Sequence, residues 1–333
     1  MPQILRTTLV QDVALAASGQ IKADLPVNPL SFILLTIRAL NNNAANAAHH
    51  VWAELLTMIN KVSVTYRGAS IISGRAIDLA LMYACISKWS PRQMQANDVD
   101  NDVRGLTMPL LFGRRPYDVT ECFPATRRGD LSLTLDAAAA LPTALDGFTI
   151  QVETVELLDA QPAQFLKVTE TQRTMQLGDQ NEIALPLGNR LLSLLLQAVT
   201  FPTAASFNST FGSVAIELDN VEVIMSRANW ESMTGELNRV LPGGWPLIGH
   251  THKENVAGAY AQFAATREQA EDDAAIQPYA YIDLDPTGDG SLSIDTSNAA
   301  DFNLLVNSDV TDGTPSRVLI AEQVAIAGAG AAA

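Results

Sequence analysis

The sequence predicts an all-β chain with minor helices, arranged as two tandem β-sandwich units of about 160 residues each. Three observations carry that expectation. Segments of the first half return in the second half in the same order. Apolar residues alternate with polar ones at a period of two through most of the chain. One helical stretch follows a Val-x-Val strand in each half.

The repeat comes first. Leu25-Pro26-Val27, then Leu30 and Phe32-Ile33-Leu34-Leu35, is echoed by Leu185-Pro186-Leu187, Leu191 and Leu194-Leu195-Leu196, an offset of 160. Asn60-Lys61-Val62-Ser63-Val64 is echoed by Asp219-Asn220-Val221-Glu222-Val223 at 159, and Leu131-Ser132-Leu133 by Leu292-Ser293-Ile294 at 161. Thr149 to Val155 resembles Val318 to Val324 at 169, the gain being absorbed by a longer hairpin around Asn307 to Pro315. Any one match is common among alternating strands, but four in order at near-constant spacing argue for duplication.

The strands follow from alternation. Val62, Val64 and Tyr66 face one way and Ser63, Thr65 and Arg67 the other; Leu131, Leu133 and Leu135 repeat the pattern, as do Phe148, Ile150 and Val152. In the second half the sets are Val214, Ile216 and Leu218, then Val221, Val223 and Met225. Gly129-Asp130, Asp146-Gly147, Gly288-Asp289-Gly290 and Asp312-Gly313 supply turns. The inserted helices are predicted over 74–89, with Ser73 as N-cap, and over 230–240, with Asn229 as cap; a further helix over 47–58 belongs to the first half alone. Short antiparallel strands with one interrupting helix are most economically two eight-stranded jelly rolls, at 1–162 and 163–326, followed by a flexible Gly/Ala tail at 327–333. The two units are expected to superimpose and to keep their sheets separate.

Composition narrows the function. Hydrophobic residues make up 47% and charged residues only 17%, so much of the surface is uncharged, as suits burial against other subunits. Net charge is −15; residues 1–165 hold 13 Lys and Arg against 15 Asp and Glu, and residues 166–333 hold 8 against 21. The only basic doublets are Arg114-Arg115 and Arg127-Arg128, which argues against direct nucleic-acid binding. Cys85 and Cys122 read as reduced thiols of a protein made in the cytoplasm. The start lacks a signal-peptide pattern, and the apolar runs at 30–37 and 191–199 are about half a bilayer span, so a soluble protein is expected.

Each constellation that could carry chemistry has a simpler reading. Gly244 followed by Gly249-His250-Thr251-His252-Lys253-Glu254 opens like a cupin metal strand, but Glu254 comes too early and no later histidine exists; His49 and His50 lie in the other unit. Asp283-Leu284-Asp285-Pro286-Thr287-Gly288-Asp289-Gly290 resembles a calcium loop, yet the twelfth position is Thr296 counted from Asp285 or Ile294 counted from Asp283. An acidic turn is the expectation. Arg128-Gly129-Asp130 spells an integrin-type tripeptide inside a predicted turn, and Asp272-Asp273 sits in an Ala-rich solvated stretch. No phosphate loop or G-x-S-x-G elbow occurs. No catalytic, cofactor or metal residue is therefore assigned, and no cofactor is expected.

Two tandem jelly rolls, each with a helix after a Val-x-Val strand, resemble the double jelly-roll major capsid proteins of tailless icosahedral viruses: the tectivirus and adenovirus lineage, in the compact form found in small lipid-containing bacteriophages. The resemblance implies a structural, non-enzymatic protein of the virion capsid. Its partners would be itself, as a pseudo-hexagonal homotrimer and then neighbouring capsomers, with minor capsid and vertex proteins and an underlying viral membrane as further ones. The alternatives are a bicupin-like metalloenzyme and a carbohydrate-binding or spike-like β-protein; aromatic content of 6% without periodic Trp or Tyr speaks against the latter.

Overall fold

The computed structural model describes residues 3–42, 52–94, 101–143, 145–203, 206–241, 252–256, 259–263, 276–311 and 313–326. The first half contains β1 (Gln3–Ala14), β2 (Gln20–Asp24), β3 (Leu30–Asn41), α1 (Trp52–Thr57), β4 (Ile59–Tyr66), β5 (Ala69–Gly74), α2 (Ala76–Ser87), β6 (Arg92–Met94), β7 (Val103–Leu111), β8 (Leu131–Ala137) and β9 (Leu145–Leu158). The second contains β10 (Gln164–Arg173), β11 (Gly178–Ala184), β12 (Arg190–Gln197), β13 (Ser213–Leu218), β14 (Val221–Glu222), β15 (Ala228–Asn229), α3 (Trp230–Val240), the hairpin β16 (His252–Val256) and β17 (Ala259–Phe263), β18 (Tyr279–Asp283), β19 (Ile294–Asp295), β20 (Phe302–Ser308) and β21 (Ser316–Ala325).

Strand pairing repeats. The first half sets β1-β9-β3-β7 against β2-β8-β4-β5, and the second sets β10-β21-β12-β18 against β11-β20-β13-β14. Each order is the other with its strands renumbered. Each half is thus an eight-stranded jelly roll whose two sheets share an apolar core, as alternating strands require. Strands β6, β15 and β19 are additions at the margins.

A pair of buried contacts fixes the register of the duplication. Asn28 donates from Nδ2 to Glu156 at 2.7 Å, and Asn189 donates from Nδ2 to Glu322 at 2.8 Å; both carboxylates are buried. Residue 28 thus matches 189, and 156 matches 322, offsets of 161 and 166. Both β3 and β12 also carry an irregularity at the matching place, between Leu30 and Phe32 and between Leu191 and Ser193.

Against this register the echoes at Leu25 and at Thr149 fall on the correct strands, slipped by one and three residues. The other two are corrected. Val221 lies in β14, the counterpart of β5, whereas β4 corresponds to β13; Leu292 precedes β19, whereas β8 corresponds to β20. Val-x-Val alternation is common to every half-buried strand, so it matches neighbours as well as true counterparts.

The expectation of separate sheets is also corrected. β5 meets β10 in parallel through a single register pair, Ile72 with Val168, and joins two four-stranded sheets and β19 into one nine-stranded sheet. The sheet β1-β9-β3-β7-β6 and the sheet containing β11, β20, β13 and β14 remain separate. The junction is an edge contact between two complete sandwiches, not a sheet shared by one.

The helices stand where alternation gives way. α2 begins at Arg75, in extended backbone and without a side-chain cap, and not at Ser73, which pairs with Ser63 between β4 and β5. Asn229 is the N-cap of α3 by position, but its side chain makes no cap hydrogen bond. α1 occupies the later part of the extra helix predicted over 47–58.

Candidate assembly surfaces

The two sandwiches meet along a seam built from α2 and one face of β10-β21-β12-β18. This sheet is buried on both sides. Leu191, Leu194, Leu196, Val318 and Ile320 belong to the second core, while Leu192, Leu195, Leu319, Ala321 and Val168 belong to the first. Two-sided burial explains why Leu191 to Leu196 reads as an apolar run, broken only by Ser193, instead of an alternating strand. α2, with sequence AIDLALMYACIS, is buried nearly all round for the same reason.

Polar groups lock the seam. Asp78, fully buried within α2, accepts two hydrogen bonds of 2.7 Å from the Arg75 guanidinium and one of 2.5 Å from the Tyr279 hydroxyl on β18. Arg114, just after β7, pairs with Glu121 at 2.9 Å and with Asp285 of the second half at 3.0 Å. Lys88 donates to the carbonyls of Cys85 at 2.9 Å and of Val240, at the end of α3, at 2.6 Å. Burial pushes the Cys85 thiol far up and the Lys88 ammonium down, so the first is an unreactive apolar group. A lone Asp inside an apolar helix was the available sequence signal for this network; its partner Tyr279 lies 201 residues away and had none.

The acidic turn and the Arg128-Gly129-Asp130 turn have their carboxylates already partnered. Asp285 accepts the Gly290 N–H at 2.9 Å besides its pair with Arg114. Asp289 accepts from Thr287 at 2.6 Å and from the Ser291 N–H at 2.8 Å; hydrogen bonding by the Ser291 side chain first, then by Thr287 and the Ser291 N–H, pulls its carboxyl down to about 2. Thr296 donates to the Asn189 carbonyl and Ile294 lies in β19, so neither completes a calcium loop. Asp130 of the Arg128-Gly129-Asp130 turn pairs with Arg67 at 2.8 Å. The backbone of His252 to Glu254 forms β16 and pairs with β17. Gly244, Gly249, His250, Thr251, His49, His50, Asp272, Asp273 and the tail at 327–333 lie outside the described residues. Among the described residues no three His, Cys, Asp or Glu side chains gather as a metal site.

The outer face of β1-β9-β3-β7 is the counterpart of the buried seam face and differs from it in part: Phe32, Leu34 and Val155 on it are buried, with Phe32 packed against Trp89 and Tyr117, while other positions turn polar. By the register above, Leu319 is replaced by Glu153, Gln197 by Thr36, Tyr279 by Thr107 and Val168 by Arg6. Thr36 and Thr107 share a 2.8 Å hydrogen bond, and Arg6 forms an ion pair with Glu153. β1 is an edge strand with most of its residues exposed, Ile4, Leu5 and Val13 among them.

No protein-family model and no curated protein sequence matches the chain. Solved structures do. The major capsid protein of Sulfolobus turreted icosahedral virus aligns with a TM-score of 0.64 at 14% identity, covering 97% of each chain. The major capsid protein of bacteriophage PM2 aligns at 0.60 and 12% identity, covering 98% of this chain and 99% of that one. This chain has the double jelly-roll fold. A quasi-atomic model of the PBCV-1 virus capsid also aligns, at 0.54 and 10% identity, over 97% of this chain and 93% of that one. In this double jelly roll no helix among the described residues is long and apolar enough to cross a membrane.

Proposed function

We propose that this chain is a major capsid protein: a structural, non-catalytic subunit that associates as a homotrimer, with two jelly rolls per chain giving a pseudo-hexagonal capsomer of an icosahedral virion. The observation that carries the reading is the end-to-end match with the major capsid proteins of two different viruses, whose lengths this chain nearly equals. Residues 1–162 and 163–326 are taken as the two jelly rolls, divided in the link between β9 and β10. The physical logic favours self-association. Three chains carrying two similar sandwiches each offer six similar edges, and closed symmetric contact buries a charge-poor surface. A net charge of −15 disfavours phosphate contact, so the first partner is another copy of the chain. Sedimentation of purified protein at micromolar concentration tests this. A stable trimer with a hexagonal outline in negative-stain images is expected; a monomer would overturn the reading.

A further inference from the structure

The second jelly roll holds three side chains in the arrangement that covalent closure of a β-sandwich needs. We propose that Lys167 and Asn189 join in an intramolecular isopeptide bond, from Lys167 Nζ to Asn189 Cγ, with Glu322 as the proton carrier. It is a single event within the chain, without turnover.

The Glu322 carboxylate, on β21, is only 1% exposed and holds both reactants. Its Oε2 accepts from Lys167 Nζ at 2.7 Å, and its Oε1 accepts from Asn189 Nδ2 at 2.8 Å. A nucleophile, an acyl donor and a base thus converge on one group, within the reach that proton transfer requires. The backbone keeps them there. Lys167 lies directly opposite Glu322 in the β10-β21 ladder. The Asn189 carbonyl accepts from the Thr296 N–H at 3.2 Å and from Thr296 Oγ1 at 2.7 Å. Such fixed placement supplies the effective concentration that an amine needs to attack an unactivated amide.

Glu322 takes one proton from the Lys167 ammonium, leaving a neutral amine beside the Asn189 carboxamide. Nζ then bonds to Cγ, a second amine proton passes to Nδ2, and the Cγ–Nδ2 bond breaks as ammonia leaves. One amide replaces another, so no oxidant or cofactor enters. Glu322 keeps the first proton, and a buried ion pair gives way to uncharged groups, an exchange that a low-dielectric interior favours. Asn189 also lines a cleft of about 380 Å³ with Gly188, Arg190 and Ser297, which gives ammonia an exit. The Lys167 side chain is 25% exposed, so its ammonium is the resting form and closure is slow. Freshly folded chain holds the open triad, in which Asn189 is a hydrogen-bond donor as Asn28 is.

The duplication supplies an internal control. Asn28 and Glu156 repeat the acyl donor and the base in the first jelly roll, but the residue opposite Glu156 in the β1-β9 ladder is Leu5. The other donor to Glu156 is the Thr7 hydroxyl, at 3.0 Å. The amine is present in the second half alone. There the bond ties the opening strand β10 to the turn before β12, across β21.

Mass spectrometry tests the assignment. After incubation at neutral and mildly alkaline pH, intact wild-type chain is expected to be lighter by one ammonia than Lys167→Arg, once the substitution itself is allowed for. Trypsin should no longer cut after Lys167, and the peptide carrying Lys167 should be joined to the peptide carrying Asn189. Asn189→Ala and Glu322→Gln should retain full mass; Lys167→Arg, which keeps a cation beside Glu322, is the reference where Glu322→Gln fails to fold. Wild-type chain that stays at full sequence mass overturns the proposal. So does an ammonia loss confined to the Asn189 peptide with normal cleavage at Lys167, which is succinimide formation. A folded Glu322→Gln variant that closes as fast as wild type overturns the part given to Glu322.

Discussion

The Tyr279 hydroxyl donates to Asp78 Oδ1 at 2.5 Å, across 201 residues of sequence and across the junction of the two jelly rolls. Asp78 has no exposed surface, and its other oxygen is held by Arg75. A buried carboxylate with a cation and a hydroxyl is satisfied only while the two sandwiches stay together. Asp78→Ala, which leaves Arg75 without its anion, is expected to cost about 3–5 kcal/mol, and Tyr279→Phe about 1–3 kcal/mol. Urea unfolding of the two variants measures both, and losses of equal size would contradict the ordering.

The matched pairs Asn28 with Glu156 and Asn189 with Glu322 are expected to behave alike. Glu156 also accepts from Thr7, and Glu322 from Lys167, so each carboxylate keeps one donor when its Asn is removed. Asn28→Ala and Asn189→Ala should therefore each cost roughly 1–3 kcal/mol. Lys167 is charged and Thr7 is not, so the Asn28 variant should be the less stable of the two. Thermal denaturation of the paired variants decides.

Alkaline pH should open the molecule. Burial raises the pKa of Tyr83, Tyr279, Tyr281 and Cys85, and raises Cys122 to about 12. Their folded-state values lie above the unfolded ones, so the native state holds these protons longer. The stability they contribute is complete below about pH 8, and it is lost as pH rises through the unfolded thiol and phenol values near 8.5 and 10. Each such group steepens the loss by up to about 1.4 kcal/mol per pH unit. Tyrosinate absorbance from the buried rings should appear together with the loss of β-sheet circular dichroism, and a separate earlier rise from these rings would contradict the buried seam.

Millimolar calcium should leave the melting temperature unchanged, because Asp285 is already bound by Arg114 and the Gly290 N–H. A saturable rise in melting temperature with calcium and not with magnesium would reinstate the acidic turn as a cation site.

Local alternation at Leu131 to Leu135 and Phe148 to Val152 was enough to place strands, because a half-buried strand must present one apolar side. The helices were legible where alternation fails, at Ala76 and Trp230. The pairing of counterparts was less legible, since Val62 and Val221 have the same local pattern on different strands. Their true register rests on Asn28, Glu156, Asn189 and Glu322, whose contacts span more than a hundred residues.

The chain by itself determined an all-β architecture, its duplication and its low content of charged residues, because periodicity, repetition and composition are properties of neighbouring residues. Only the tertiary structure decided that β5 and β10 meet, that α2 is enclosed by both jelly rolls, and that Asp78 finds Tyr279. Those contacts join residues remote in sequence. An apolar run such as Leu191 to Leu196 shows that a strand is buried on two sides, but not what covers the second.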